Sequence, residues 1–303
     1  MTRLRILVTG ANGQLGTELE QQGPAKDAAI IGIDIDTLDI TDAKAVEAYF
    51  NTLEVSLVIN AAAYTAVDSA ETHADVAFAV NRDGPGNLAR ACNARSIPLI
   101  HISTDYVFDG QKKRAYQTDD PPSPMGVYAK SKAEGERVVV KQAEKHIIVR
   151  TAWLYGIHGT NFVKTMLQLG RQREQLEVVD DQYGCPTNAA DLAATLLDIA
   201  RRVTDPAGFE PWGIYHYCGK GETTWFIFAK KIFEIASAYE ALAVRRVLPI
   251  PSNDYPTPAA RPANSVLNCD KTERIFGITC FPWEESLAHM LERLYQVSGS
   301  RQT

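Results

Sequence analysis

The stretch Ile6-Leu7-Val8-Thr9-Gly10-Ala11-Asn12-Gly13-Gln14-Leu15-Gly16 decides how the rest of the chain is read. Three apolar residues make a short strand, a glycine-rich turn follows, and amphipathic spacing opens a helix at Gln14. Glycine at a tight turn removes the Cβ clash, and a second glycine lets an anion approach the backbone. The N–H groups of the helix's first turn, with its dipole, then favour a phosphate. The spacing is GxxGxxG, not the GxGxxG of the general dinucleotide fingerprint, so a plain glycine-rich turn competes with this reading. The strand before it, the helix after it and Asp34, 18 residues beyond Gly16, favour a dinucleotide. A carboxylate there accepts hydrogen bonds from ribose hydroxyls and repels an extra phosphate, which leans toward NAD over NADP. A solvated strand-end aspartate is the bland alternative. Asp39 and Ile40, in the loop that follows, could flank the adenine.

Working outward, short apolar runs at 30–35, 57–59, 99–102 and 147–149 alternate with helical stretches at 14–22, 43–51, 74–95 and 130–143. Wholly apolar strands separated by helices predict a parallel sheet covered on both faces. Right-handed crossovers then leave a doubly wound, Rossmann-like α/β domain over residues 1–150. The second half changes character. Prolines cluster at Pro249-Ile250-Pro251 and Pro256-Thr257-Pro258, with Pro262 behind them, marking ordered loops. Helical stretches at 162–173, 190–202, 224–238 and 283–295 predict a smaller mixed α/β substrate domain over about 151–303. Parts of about 175–245 are expected to return to the first domain.

Composition excludes several classes. The 303 residues are 45% hydrophobic and 22% charged, an ordinary globular balance. A net charge of −6 gives no basic excess to grip a nucleic-acid backbone. No apolar run approaches the length of a membrane span. The start, Thr2-Arg3-Leu4-Arg5, mimics a signal peptide, but the apolar stretch behind it is too short. Five cysteines (Cys92, Cys185, Cys218, Cys269, Cys280) are scattered without CxxC spacing. They read as free thiols in a reducing compartment, the cytoplasm, and argue against a zinc site.

Tyr128 and Lys132 lie four apart at the start of a helix and share one face. They follow the fourth strand, which ends in Ser103-Thr104-Asp105, where a doubly wound sheet places its ligand. Ketone reduction needs a proton source for the developing alkoxide, and a free phenol is too weak an acid to be well matched at neutral pH. An ammonium about 4 Å away would stabilise the phenolate by roughly 4 kcal/mol. That is enough to bring the phenol to about 7. Thr104 could donate to the carbonyl oxygen and help polarise it. The bland alternative is an amphipathic pair on a solvated helix face.

These residues resemble the extended short-chain dehydrogenase/reductase superfamily and, within it, the dTDP-4-dehydrorhamnose reductases. The matching stretches are Thr9 to Gly16, Val58-Ile59-Asn60-Ala61-Ala62-Ala63-Tyr64-Thr65-Ala66-Val67-Asp68, Ser103-Thr104-Asp105-Tyr106-Val107-Phe108, Val127-Tyr128-Ala129-Lys130-Ser131-Lys132, Arg150-Thr151-Ala152-Trp153-Leu154-Tyr155 and Asn161-Phe162-Val163-Lys164-Thr165-Met166. Asp180-Asp181-Gln182-Tyr183-Gly184-Cys185-Pro186-Thr187 and Tyr255-Pro256-Thr257-Pro258-Ala259-Ala260-Arg261-Pro262 are the most specific.

The resemblance implies reduction of a dTDP-6-deoxy-4-ketosugar by NADPH, with NADH also accepted. Tyr128 would donate the proton, Lys132 would lower its pKa and hold the nicotinamide ribose, and Thr104 would bind the keto oxygen. Asp105 and Trp153 would contact the sugar. Gly13, Gln14 and Leu15 would meet the pyrophosphate, and Asp34, Asp39 and Ile40 the adenosine end. Ala63, Tyr64 and Thr65 would line the cofactor, joined by Gly10, Asn12, Gly16, Ala61 and Ser103. Trp153 offers a flat apolar face to a sugar ring. Arg261, in a proline-braced loop, could pair bidentately with the substrate diphosphate, a surface salt bridge being the alternative. Asn161 is a further substrate candidate. His101 reads as a core histidine, and Cys185 and Cys218 as packing residues. Some relatives dimerise through a magnesium ion held by glutamates. Glu18 could be one ligand, but Ala189-Ala190 stands where another is expected, so the expectation is a monomer or a homodimer without a metal bridge. Two other readings remain: a different nucleotide-sugar ketoreductase, and a regulatory subunit that binds a dinucleotide without turnover, as the beta subunit of methionine adenosyltransferase resembles a reductase.

Overall fold

A computed structural model describes residues 3–299; residues 1–2 and 300–303, the outer ends of the two expected domains, lie outside the described residues. The chain begins with β1 (Leu4–Thr9), α1 (Gln14–Gln22), β2 (Ala28–Ile33), α2 (Ala43–Asn51) and β3 (Leu57–Asn60). Two short helices, α3 (Val67–Ala70) and α4 (Ala74–Phe78), lead through a π-helical turn at Ala79–Asp83 into α5 (Gly84–Asn93). β4 (Leu99–Thr104), α6 (Gly126–Gln142) and β5 (His146–Thr151) complete the first half. The second half runs β6 (Leu154–Tyr155), α7 (Phe162–Gln172), β7 (Gln175–Val179), β8 (Tyr183–Gly184), β9 (Thr187–Asn188) and α8 (Ala189–Val203). It continues with β10 (Gly213–His216), β11 (Thr223–Thr224), α9 (Trp225–Ala236), β12 (Arg246–Ile250), α10 (Asp270–Phe276) and α11 (Trp283–Gly299).

Six strands form one parallel sheet in the order β2-β1-β3-β4-β5-β10. Side chains alternate between its faces, and both faces are apolar. Ile6, Val8, Ile59 and Val149 pack with Leu15 and Leu19 of α1 and Leu192, Leu196 and Ile199 of α8. Leu7, Val58, Leu99 and Ile148 pack on the other side with Val46 of α2, Leu88 of α5 and Val139 of α6. A third core joins α7, α9 and α11 through Val163, Leu167, Phe228, Ile232 and Leu287. Because β2 lies on one side of β1 and β3 on the other, a crevice opens at the carboxyl edge between them, the ligand position of such sheets.

Several elements differ from the sequence expectation; Pro249 and Ile250, expected in an ordered loop, instead close β12, which pairs with β7, Val247 opposite Leu176. The edge strand β10 was not expected; Gly213-Ile214-Tyr215-His216 has no apolar run and becomes a strand by pairing with β5, Ile214 opposite Ile148. The helix expected over 74–95 is broken. Pro85 sits in the first turn of α5, where a missing N–H is tolerated, and the π turn ahead of it swings Asn81 inward. Buried Asn81 donates to Ser131 Oγ and to the Tyr64 carbonyl, and accepts from the Tyr64 N–H at 2.8 Å.

Candidate active site

The three glycines of the first turn have separate jobs. Gly10 has φ +71°, and a Cβ there would lie 2.7 Å from the Ala62 backbone N on β3's extension. A Cβ on Gly16 would lie 2.4 Å from the Gly10 carbonyl, so the helix could not seat against the turn. Gly13 meets only the Gly10 carbonyl, at 3.2 Å, and is otherwise open. It is also the N-cap of α1 and has no side chain to satisfy that helix's first amides. An open backbone cradle at a helix N-terminus fits a pyrophosphate. Asp34 braces the turn, accepting from the Asn12 N–H at 3.0 Å and the Ile35 N–H at 2.8 Å.

From this turn a cleft of about 770 Å³ runs along the carboxyl edge of the sheet. Gly10, Gly13, Gln14, Leu15, Gly16, Asp34, Asp39, Ile40, Ala61, Ala63, Tyr64 and Thr65 line one end, and Ser103, Thr104, Asp105, Tyr128, Lys132 and Trp153 the other. Asn12, Asn161 and Arg261 are outside this lining. Asn161 caps α7, accepting from the Lys164 N–H, and its amide donates to Gln14 Oε1 at 2.9 Å. It therefore ties α7 to the phosphate turn. Arg261 spends its fork on Asp68 at 2.8 Å and the Ala259 carbonyl at 3.0 Å, anchoring the proline loop to α3. The salt-bridge alternative is the arrangement present.

Thr104 Oγ accepts from the Tyr106 N–H at 3.2 Å and donates to Asp105 Oδ1 at 2.9 Å, with the Tyr128 hydroxyl also in hydrogen-bond contact. Lys132 is buried, and its ammonium donates to the Ile102 carbonyl at 2.7 Å. The expected phenol near neutrality is not what the structure holds. Burial pushes Tyr128 up to about 12, against the pull of Thr104. Burial also draws Lys132 down to about 8, with the Glu136 carboxylate holding it up. The desolvation cost of a phenolate outweighs its neighbours' help here. At neutral pH the pair is thus a phenol that still carries its proton and an ammonium. Burial pushes Asp105 up to about 6, while hydrogen bonds from Ser265 and Thr104 hold it down. Asp105 Oδ2 has no partner among the described residues.

The sugar-side wall is built by packing. Trp153 has φ +47°, strained for a bulky residue, and stacks on Trp225 with centroids 3.5 Å apart and planes 9° from parallel. Gly184 makes room, since a Cβ there would lie 2.4 Å from the Trp153 indole. Trp225 lines the cleft and was missed in the sequence, where it reads only as part of the helical stretch 224–238.

The remaining candidates are structural. His101 is buried, with Nδ1 3.0 Å from Asn60 Nδ2, and burial holds its pKa well below the ordinary value. Cys185 and Cys218 are buried in the junction core around Phe108 and Leu267. Buried Glu18 faces Arg293 at 3.2 Å, Gln22 at 3.2 Å and His158 at 3.7 Å, so its carboxylate is already neutralised within the chain.

Three comparisons bear on this cleft. The family model for the RmlD substrate binding domain matches residues 4–296. A dTDP-4-dehydrorhamnose reductase of Sinorhizobium fredii is 43% identical over 95% of this chain and 97% of its own. The crystal structure of a dTDP-4-dehydrorhamnose reductase from Clostridium acetobutylicum is 42% identical, with a TM-score of 0.89 over 96% of this chain and 99% of that one. One from Bacillus anthracis, solved in complex with NADP, is 38% identical, with a TM-score of 0.88 over the same shares, 96% and 99%.

Proposed function

The chain belongs to the RmlD substrate binding domain family, that of the dTDP-4-dehydrorhamnose reductases, and from that premise we propose how its residues act. The reaction is reduction of the C4 ketone of dTDP-6-deoxy-L-lyxo-4-hexulose to give dTDP-L-rhamnose, with NADPH as cofactor and NADH also accepted. The observation that carries the assignment is that Thr104, Tyr128, Lys132, the glycine turn and Trp153 line one cleft.

When bound, the dinucleotide supplies the hydride. Every other requirement falls on the chain. Gly13, Gln14 and Leu15 would hold the pyrophosphate at the start of α1, Asp34 would face the adenosine ribose, and Asp39 and Ile40 would flank the adenine. Thr104 Oγ turns from Asp105 toward the keto oxygen. Tyr128, a phenol across the working pH range, gives that oxygen its proton. Lys132, charged below about pH 8, stabilises the phenolate left behind and binds the nicotinamide ribose. Trp153, braced by Trp225, lies along the deoxy-sugar.

We assign residues 1–150, with α8 and β10, to dinucleotide binding and most of the remainder to the nucleotide sugar. Among the described residues no helix is long and apolar enough to cross a membrane, and the reading includes a cytoplasmic location. Glu18, paired with Arg293, is not free to hold a hard cation, which speaks against a metal-bridged dimer and for a monomer or a metal-free contact. The test is absorbance at 340 nm when the keto-sugar is added to protein and NADPH. A fall matched by dTDP-L-rhamnose formation is expected. No fall with a competent substrate preparation would leave a dinucleotide-binding module.

A further inference from the structure

The mechanism does not use Glu136, yet it lies on the catalytic face of α6. Tyr128, Lys132 and Glu136 follow at i, i+4 and i+8, so the three share one stripe of the helix. Glu136 is 3% exposed and outside the cleft lining. It accepts two hydrogen bonds from Arg150 of β5, at 2.9 and 2.7 Å, and one from Ser103 Oγ of β4. Arg150 is itself buried, its guanidinium 4.9 Å over the Phe108 ring, and its Nη1 has no partner among the described residues. A carboxylate held on both oxygens by two strands cannot turn toward water. Replacing such an ion pair by apolar groups usually costs a fold little, so stability alone is a weak reason for building one there.

We propose that Glu136 is a positioning residue for Lys132: clamped by Arg150 and Ser103, its fixed negative charge keeps the buried lysine protonated beside Tyr128. The groups around the lysine support this. His101 of β4 is neutral and adds no charge. Tyr128 is a phenol, and Asp105 bears on Tyr128. From the π turn packed on α6, the inward group is the neutral amide Asn81, spent on Tyr64 and Ser131. Glu136 is the anion that opposes the burial of Lys132, which otherwise draws its pKa down. The inference deepens the reductase reading and rests on it for the lysine's purpose, but it concerns the lysine's charge, which is measured without turnover.

The test uses carbon-13 NMR of lysine-labelled full-length protein, with the Lys132 signal assigned by its loss in Lys132→Met. Glu136→Gln alone strands a buried guanidinium and risks unfolding. The main variant is therefore Glu136→Gln with Arg150→Met, which removes both charges. Losing Arg150 acts in the opposite sense, so a fall in the lysine midpoint belongs to Glu136. We expect the midpoint to drop by about one pH unit or more, with the alkaline limb of turnover moving alongside it. A folded double variant whose midpoint lies no lower than that of Arg150→Met alone would make Glu136 a packing residue and overturn the proposal. Glu136→Asp keeps the charge and should hold the midpoint within a few tenths of a pH unit; a drop as large as the double variant's would also overturn it. Wild-type protein that titrates as expected but does not oxidise NADPH would sink the reductase reading instead.

Discussion

The two ends of the cleft are made by different means. The phosphate turn at the cofactor end is backbone from one continuous segment, β1 through the turn into α1, and Gly10 and Gly16 are required there because a Cβ would strike Ala62 or Gly10. The sugar end is side chains from segments far apart in the chain: Asp105 after β4, Trp153 after β5 and Trp225 opening α9. The first kind of site demands a residue type at fixed spacing. The second demands that distant segments meet, and any single residue in it looks ordinary in the sequence.

The sharpest test lies where the two ends join. Tyr128→Phe should lower turnover by roughly 10²–10⁴-fold while NADPH affinity, measured by fluorescence titration, stays within about twofold. The lost group is a proton donor, and the phosphate turn is untouched. Near-normal turnover would remove Tyr128 as the acid and separate the two ends functionally. The next effect divides the cofactor end itself. Gly10→Ala puts an L residue at φ +71° against immovable backbone, so stability should fall by at least about 3 kcal/mol in urea titration. Gly13→Ala should fold normally, because its Cβ meets only one carbonyl, yet NADPH affinity should fall about tenfold as the methyl group enters the phosphate's space. If both variants lost stability alike, the division between structural and ligand-facing glycines would fail.

This contrast accounts for what was legible in the sequence. The short, wholly apolar runs placed five of the six parallel strands, and helices 14–22 and 43–51 are found at those bounds, because local pattern alone determines them. β10 escaped because its strand character comes from its neighbour β5. The π turn escaped because Asn81 is drawn inward by Tyr64 and Ser131, partners 17 and 50 residues away in sequence. At the site, the glycine turn and the Tyr128–Lys132 spacing were readable. Arg261 was read for its charge alone, and the partner that takes up that charge, Asp68, lies 193 residues away. The protonation of Tyr128 also needed the structure, since its burial outweighs its neighbours.

The sugar end has its own test. Trp225→Ala removes the plane that holds Trp153 in its strained conformation. The keto-sugar KM should rise by about tenfold, the measure of one aromatic stack, while NADPH affinity is unchanged. A matching loss of NADPH affinity would mean that the two ends are one packed unit.

The smallest effect concerns Asp105, where the sugar end holds a buried carboxylate with one oxygen unpaired. Its folded pKa is raised from 3.8 to about 6 by burial. Between those values the folded state binds more protons than the unfolded state, so stability from this group falls as pH rises from about 4 to 6 and is level above. The charge costs roughly 3 kcal/mol at pH 7. Asp105→Asn removes that cost but weakens the hydrogen bonds with Thr104 and Ser265, at about 1 kcal/mol each. The variant should therefore be more stable than wild type by about 1 kcal/mol at pH 7, and the gain should disappear by about pH 4. Urea titrations at both pH values read this directly. A gain that persisted at pH 4 would show that packing at the sugar end, and not the buried charge, sets the difference.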